Sequence, residues 1–177
     1  MIQVRLAKTL LENEEGINVL WIQLSPLRQS RKACVQLHLP PGIHRSRNLN
    51  DMEEDSSGIV SIPDPQAPAD LFIEIFTRES IACGMYNLAV EVTYTDEAGL
   101  ATSVKQGIPL KVVSDEEAPE LVTDPEVVRR VKELQRRSDS LTTEPYTAYP
   151  PAKLIRLDGG HVSEWEKKYR VEGVIEL

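Results

Sequence analysis

The sequence predicts a mainly β chain: an immunoglobulin-like antiparallel β-sandwich with a C-terminal helix and short strands. Three observations predict it. Apolar and polar residues alternate with period two in run after run from Ile2 to Val113. Each run is short and closes on turn residues. No convincing helical pattern separates the runs, as a doubly wound α/β fold would require. Residues 1–113 therefore read as the sandwich and residues 114–177 as an extension.

The runs follow in order. Ile2, Val4 and Leu6 form the first, and Leu20, Ile22 and Leu24 mark the second. Ala33, Val35, Leu37 and Leu39 form the third, stopped at Pro40-Pro41-Gly42 because proline has no N–H for a ladder. Ile59-Val60-Ser61-Ile62 is short and ends at Pro63-Asp64-Pro65; Leu71, Ile73 and Ile75 follow. The cleanest run places Tyr86, Leu88, Val90, Val92 and Tyr94 on one face. Asp96-Glu97-Ala98-Gly99 supplies a hairpin turn, with Gly99 free to take positive φ. The return strand turns Val104, Ile108, Leu110 and Val112 inward and Lys105 and Lys111 outward. Seven strands, starting at Ile2, Ile17, Ala33, Ile59, Asp70, Met85 and Ala101, fill positions A to G of an immunoglobulin-type sandwich.

Three segments carry a resemblance: VQLHLPPGI, SIPDPQAPADLFIEIFT and CGMYNLAVEVTYTDEAGLATSVKQGIPLKVV. Their order resembles bacterial and archaeal Ig-like modules of the cell-adhesion-related CARDB type and the S-layer-associated type. The matching residues are Pro40, Pro41, Gly42, Gly84, Tyr86, Tyr94, Thr95, Asp96 and Gly99. The resemblance covers about residues 1–113 and implies a spacer or binding unit of exported multidomain proteins, with no catalytic residue to carry over. Similar sandwiches also follow von Willebrand factor A domains in some bacterial proteins and lead into helices, as DPEVVRRVKELQRR does here.

The extension opens on an acidic, proline-bearing linker, Ser114-Asp115-Glu116-Glu117-Ala118-Pro119-Glu120. A helix over about 124–138 follows. Thr123 and Glu126 have capping-box spacing, Pro125 sits in the first turn, and Val127, Val128, Val131 and Leu134 form an apolar stripe. Arg129, Arg130, Lys132, Arg136 and Arg137 occupy its other face and C-terminal end. An irregular stretch runs to Pro151, and residues 153–157 and 169–175 read as terminal strands. These are too few for an independent core, so the extension docks on the sandwich, on a second copy or on another protein.

The docking site is set by parity. Strands B and E carry apolar residues opposite their core sets: Val19 and Trp21 on one, Phe72 and Phe76 on the other. B and E are neighbours in one sheet of this fold, so the four meet on an outer surface that an isolated domain would not leave bare. The expected interaction set is Val19, Trp21, Phe72, Phe76, Val127, Val131 and Leu134. The competing reading is a strand register displaced by one residue, which a bulge would produce.

Composition narrows the function classes. The 177 residues carry 20 Lys plus Arg against 28 Asp plus Glu, a net charge of −8, which disfavours nucleic acid and anionic membranes as partners. Two Cys exclude a disulfide scaffold. The start has no basic segment leading into a long apolar run, and no run reaches membrane-spanning length. A cytoplasmic protein is expected, or an extracellular one if the chain is an excised domain. His38, His44 and His161, with Cys34, offer metal donors without zinc-site spacing. The loop 48–58 is rich in oxygen ligands yet lacks an EF-hand pattern. No nucleophile elbow, Walker loop or dinucleotide fingerprint is present. The expectation is a non-catalytic interaction or structural module, with no cofactor or metal, binding a protein partner or itself through the extension. A carbohydrate-binding sandwich is the alternative, with Trp165, Tyr146 and Tyr149 as uncommitted aromatics; a metal-dependent enzyme is the least favoured.

Overall fold

The computed structural model describes residues 1–117 and 122–141, which belong to one compact unit, Met1–Thr142. The terminal strands expected within 153–175, His161, Trp165, Tyr146 and Tyr149 lie outside the described residues. Nine strands run β1 (Ile2–Leu6), β2 (Leu10–Glu12), β3 (Ile17–Leu24), β4 (Ser30–His38), β5 (Ile43–Asn48), β6 (Ile59–Ile62), β7 (Ala69–Thr77), β8 (Gly84–Asp96) and β9 (Ala101–Val113). A 3-10 turn, Asp115–Glu117, precedes helix α1, Pro125–Leu141.

The strands form two sheets, ordered β1-β3-β7-β5 and β2-β9-β8-β4-β6, stacked as an immunoglobulin-like sandwich. Leu20, Ile22, Leu71, Ile73 and Ile75 of one sheet meet Val35, Leu88, Val90, Val92 and Leu110 of the other in a single core. Half-buried Tyr86 and Tyr94 pack against it. Period two thus translates directly into which side chains leave water, each fully buried Leu or Ile contributing about 1.5–3 kcal/mol. Val104 departs from the expected inward set. It keeps the parity of Leu110 but is 46% exposed, toward the hairpin end of β9.

Two strands lie outside the seven read from periodicity. Strand β2 continues the first run into the second sheet, where it pairs in parallel with β9. Buried Asn18 makes that switch possible. Its Oδ1 accepts from the backbone N–H of Lys8 and Val19, and its Nδ2 donates to the carbonyls of Lys8 and Leu10. Strand β5 pairs with β7 through a register shift between Arg45 and Asn48. The strand at Ile59, given position D, pairs instead with β4, at the edge of the other sheet.

Two glycines fix the connections. Gly99 takes φ of 84°, and Asp96 accepts the backbone N–H of Leu100 on Oδ1 and that of Gly99 on its carbonyl, closing the β8–β9 hairpin. Gly42 takes φ of 88° where a Cβ would stand 2.5 Å from the Ile81 side chain, so the turn after Pro40-Pro41 tolerates no side chain.

Candidate interaction surface

The outer face of the four-stranded sheet is built by β3 and β7, whose antiparallel register sets Trp21 directly opposite Phe72 and Ile17 opposite Phe76. The rings of Trp21 and Phe72 stack with centroids 5.4 Å apart and planes 16° off parallel. The indole Nε1 donates to Asp70 Oδ1 at 2.9 Å, which satisfies its polar edge while the rest of the ring is covered.

The cover is α1. Fully buried Val127 packs with Ala7, Trp21 and Phe72, and half-buried Val19, Leu49, Val131 and Leu134 complete this second apolar cluster. The structure therefore brings six of the seven expected residues together. Phe76 stands apart. It lies half-buried further along β7, beside His44 of β5 at 5.7 Å and beneath the Arg78 guanidinium at 5.3 Å.

Backbone and charge fix the helix start. Residues 122–124 run alongside residues 7–9: the Asp124 N–H donates to the Ala7 carbonyl at 2.7 Å, and the Thr9 N–H to the Val122 carbonyl at 3.3 Å. The N-cap is Asp124 and not Thr123: its Oδ1 accepts from the N–H groups of Glu126 and Val127, with Pro125 as the first helical residue. Arg5 then joins strand to helix. Its Nε and Nη2 donate to Asp124 Oδ2 at 3.0 and 2.6 Å, and its Nη1 donates to Glu126 Oε2 at 2.5 Å. The same guanidinium lies 5.1 Å from the Trp21 ring centroid, with Arg130 at 5.9 Å. Partial burial raises the Asp124 carboxyl, but the Arg5 bonds and the two helix N–H groups outweigh it and hold it below its ordinary value. The Arg5 guanidinium is raised, by its bonds to Glu126 and Asp124.

Residues 135–140 are all exposed, so the helix is seated by its first turns and runs on past the apolar cluster.

Several of the polar groups raised as candidates for chemistry are engaged with one another or with the backbone. On the outer face of the five-stranded sheet, Glu91 accepts from Ser103 Oγ at 2.6 Å and pairs with His38 Nε2 at 2.7 Å. The carboxylate stands between hydroxyl and imidazole, the reverse of a serine–histidine–acid relay. The Ser103 and His38 hydrogen bonds hold the Glu91 carboxyl low, which leaves it a weak base. Cys34 Sγ faces the Thr93 carbonyl at 3.7 Å. In the loop 48–58, Glu54 accepts from Arg45 Nη2, from the Asn48 N–H and from Asn48 Nδ2 at 2.7–3.0 Å. Burial pushes the Glu54 carboxyl up, but the Asn48 bonds and the Arg45 charge prevail and hold it below its ordinary value. Asp55 Oδ1 accepts from the N–H groups of Ser57 and Ile59. These oxygens fasten the loop to itself, and no group of three or more His, Cys, Asp or Glu among the described residues is placed to hold a metal ion. Nor, among the described residues, is any helix long and apolar enough to cross a membrane.

No protein-family model matches the chain, and no curated protein matches it. Among solved structures, it is similar to the major pilin subunit BcpA of Bacillus cereus at 13% identity and a TM-score of 0.47. That likeness covers 63% of this chain, which spans 40% of the length of the pilin subunit. It is also similar to self-complemented MyfA, the major subunit of Myf fimbriae from Yersinia enterocolitica, at 11% identity and a TM-score of 0.38, covering 62% of this chain and 98% of that one.

Proposed function

We propose that the chain is a non-catalytic interaction or structural module, in which the sandwich is the scaffold and the C-terminal extension carries the contact with a protein partner. The observation that carries this reading is the seating of α1: its first turns are anchored on Trp21 and Phe72, while the helix continues into the exposed residues 135–140. The sheet thereby holds a helix out as a presented surface. The resemblance of residues 1–113 to CARDB-type modules agrees with a spacer or binding unit. The reversed Ser103–Glu91–His38 order and the engaged oxygens of the loop 48–58 argue in the same direction, against a hydrolytic site.

The test is affinity capture on the immobilised full chain, comparing wild type with Val131→Asp/Leu134→Asp, and confirming each captured protein with purified components. A partner that binds the wild type and fails with the helix variant supports the reading. Turnover of ester or glycoside substrates that is lost in Glu91→Gln would overturn it.

A further inference from the structure

The solvent side of α1 carries a second feature. Arg129, Lys132 and Arg136, at spacings of three and four residues, line one open groove of about 560 Å³ together with Thr123, Pro125, Val128 and Glu133. All three cations are exposed, and among the described residues none of them makes an ion pair. Of the acidic groups at this end of the helix, Asp124 and Glu126 are paired with Arg5, and Glu133 reaches Arg130 at 4.0 Å. Like charges three and four apart on a helix repel, and Glu133 is the one carboxylate among the three cations in the groove lining, so a further anion along the ladder would stabilise α1. The polarity is also local. The helix holds five cationic and three anionic side chains in a chain whose net charge is −8.

We infer that this groove docks an acidic peptide segment of a partner protein, its carboxylates meeting Arg129, Lys132 and Arg136 and an apolar side chain resting on Val128 and Pro125. The inference rests on the interaction-module reading and adds the chemistry of the partner. A bulk field of −8 disfavours a polyanion such as nucleic acid, whose phosphates extend far beyond the groove, whereas a short acidic segment meets only the basic strip.

The experiment uses the full chain and a fluorescein-labelled peptide of about a dozen residues, rich in Glu with Leu at intervals, read by anisotropy. Binding is expected, weakening as salt rises from about 0.05 M to about 0.5 M. It should fall at least about ten-fold in Arg129→Glu/Lys132→Glu/Arg136→Glu. The charge-matched variant Arg28→Glu/Arg31→Glu/Lys32→Glu, altered at exposed positions on the sandwich, should bind as wild type. Far-UV circular dichroism verifies the fold of both. Equal loss in the two variants overturns the inference, as does a single-stranded oligonucleotide binding at least as tightly as the peptide. Concentration-dependent self-association that vanishes in the helix variant also overturns it, by assigning the groove to a second copy. A peptide that does not bind, while a captured partner still depends on Val131 and Leu134, overturns the acidic chemistry and leaves the module reading standing.

Discussion

Val127→Asp tests how the helix is held. Val127 has no exposed surface and sits between Ala7, Trp21 and Phe72. Burying a valine contributes about 1.5–3 kcal/mol, and the substitution removes all of it. A carboxylate in its place would cost several kcal/mol to keep desolvated, with the Arg5 guanidinium already committed to Asp124 and Glu126. Half-buried Val131 and Leu134 return only about 1 kcal/mol each. The carboxylate therefore stays wet by lifting α1 off, while the main core, which contains no helix residue, remains closed. In a Trp165→Phe background, where Trp21 is the remaining indole, its emission should shift to the red. Amide exchange over 125–134 should rise to near-unprotected rates, and β8 and β9 should keep their protection. Unchanged emission would refute the reasoning, and so would loss of protection throughout the sandwich.

Further outcomes follow from the same geometry. Asp124 has a lowered folded-state pKa, so its contribution is complete above its ordinary value of 3.8 and disappears as pH falls through the lower folded value. Trp21 emission should therefore show helix release in that acid window, and Arg5→Ala should move the release to higher pH. Thr77→Val removes the hydroxyl that accepts the Gly16 N–H and donates to the Glu12 carbonyl, both at 2.9 Å. With Thr77 buried, a cost of about 1–3 kcal/mol is expected in urea unfolding. Glu54→Ala removes one acceptor from Arg45 and the acceptor of the Asn48 N–H, and should cost about 1–3 kcal/mol, with faster amide exchange over 48–58 as the local sign. Calcium titrated into the wild type should leave the thermal midpoint unchanged, because Glu54 and Asp55 are held by Arg45, Asn48 and backbone N–H groups and no three acidic groups among the described residues converge.

The strands with alternating apolar residues were legible because a sheet face buried on the other sheet permits no other pattern. Trp21 and Phe72 were legible for the same reason in reverse: large rings at positions opposite the core need their own cover. Phe76 shares their parity but lies four residues from Phe72, about 13 Å along an extended strand. The stripe from Val127 to Leu134 is only about 10 Å long and reaches one end. Strand β2 is too short to alternate. Strand β5, Ile-His-Arg-Ser-Arg-Asn, has one core residue and is fastened by the Arg45–Glu54–Asn48 bonds, which leave no periodic trace. The cap lies one position beyond the Thr123–Glu126 capping-box spacing. Asp124 stands immediately before Pro125, and proline's preference for the first helical position was the better guide.

The position of α1 in the chain also bears on how the protein is made. Synthesis proceeds from the amino end, and Val113 completes the β8–β9 ladder of the described sandwich before Val127 is joined to the chain. At ribosomal speeds of about 5–20 residues per second, the roughly twenty residues that separate the end of β9 from Leu134 add about 1–4 s, and passage through the exit tunnel lengthens the delay. Throughout that interval the stacked indole and phenyl rings face water. A nascent sandwich thus offers chaperones a greasy handle that the finished molecule withdraws.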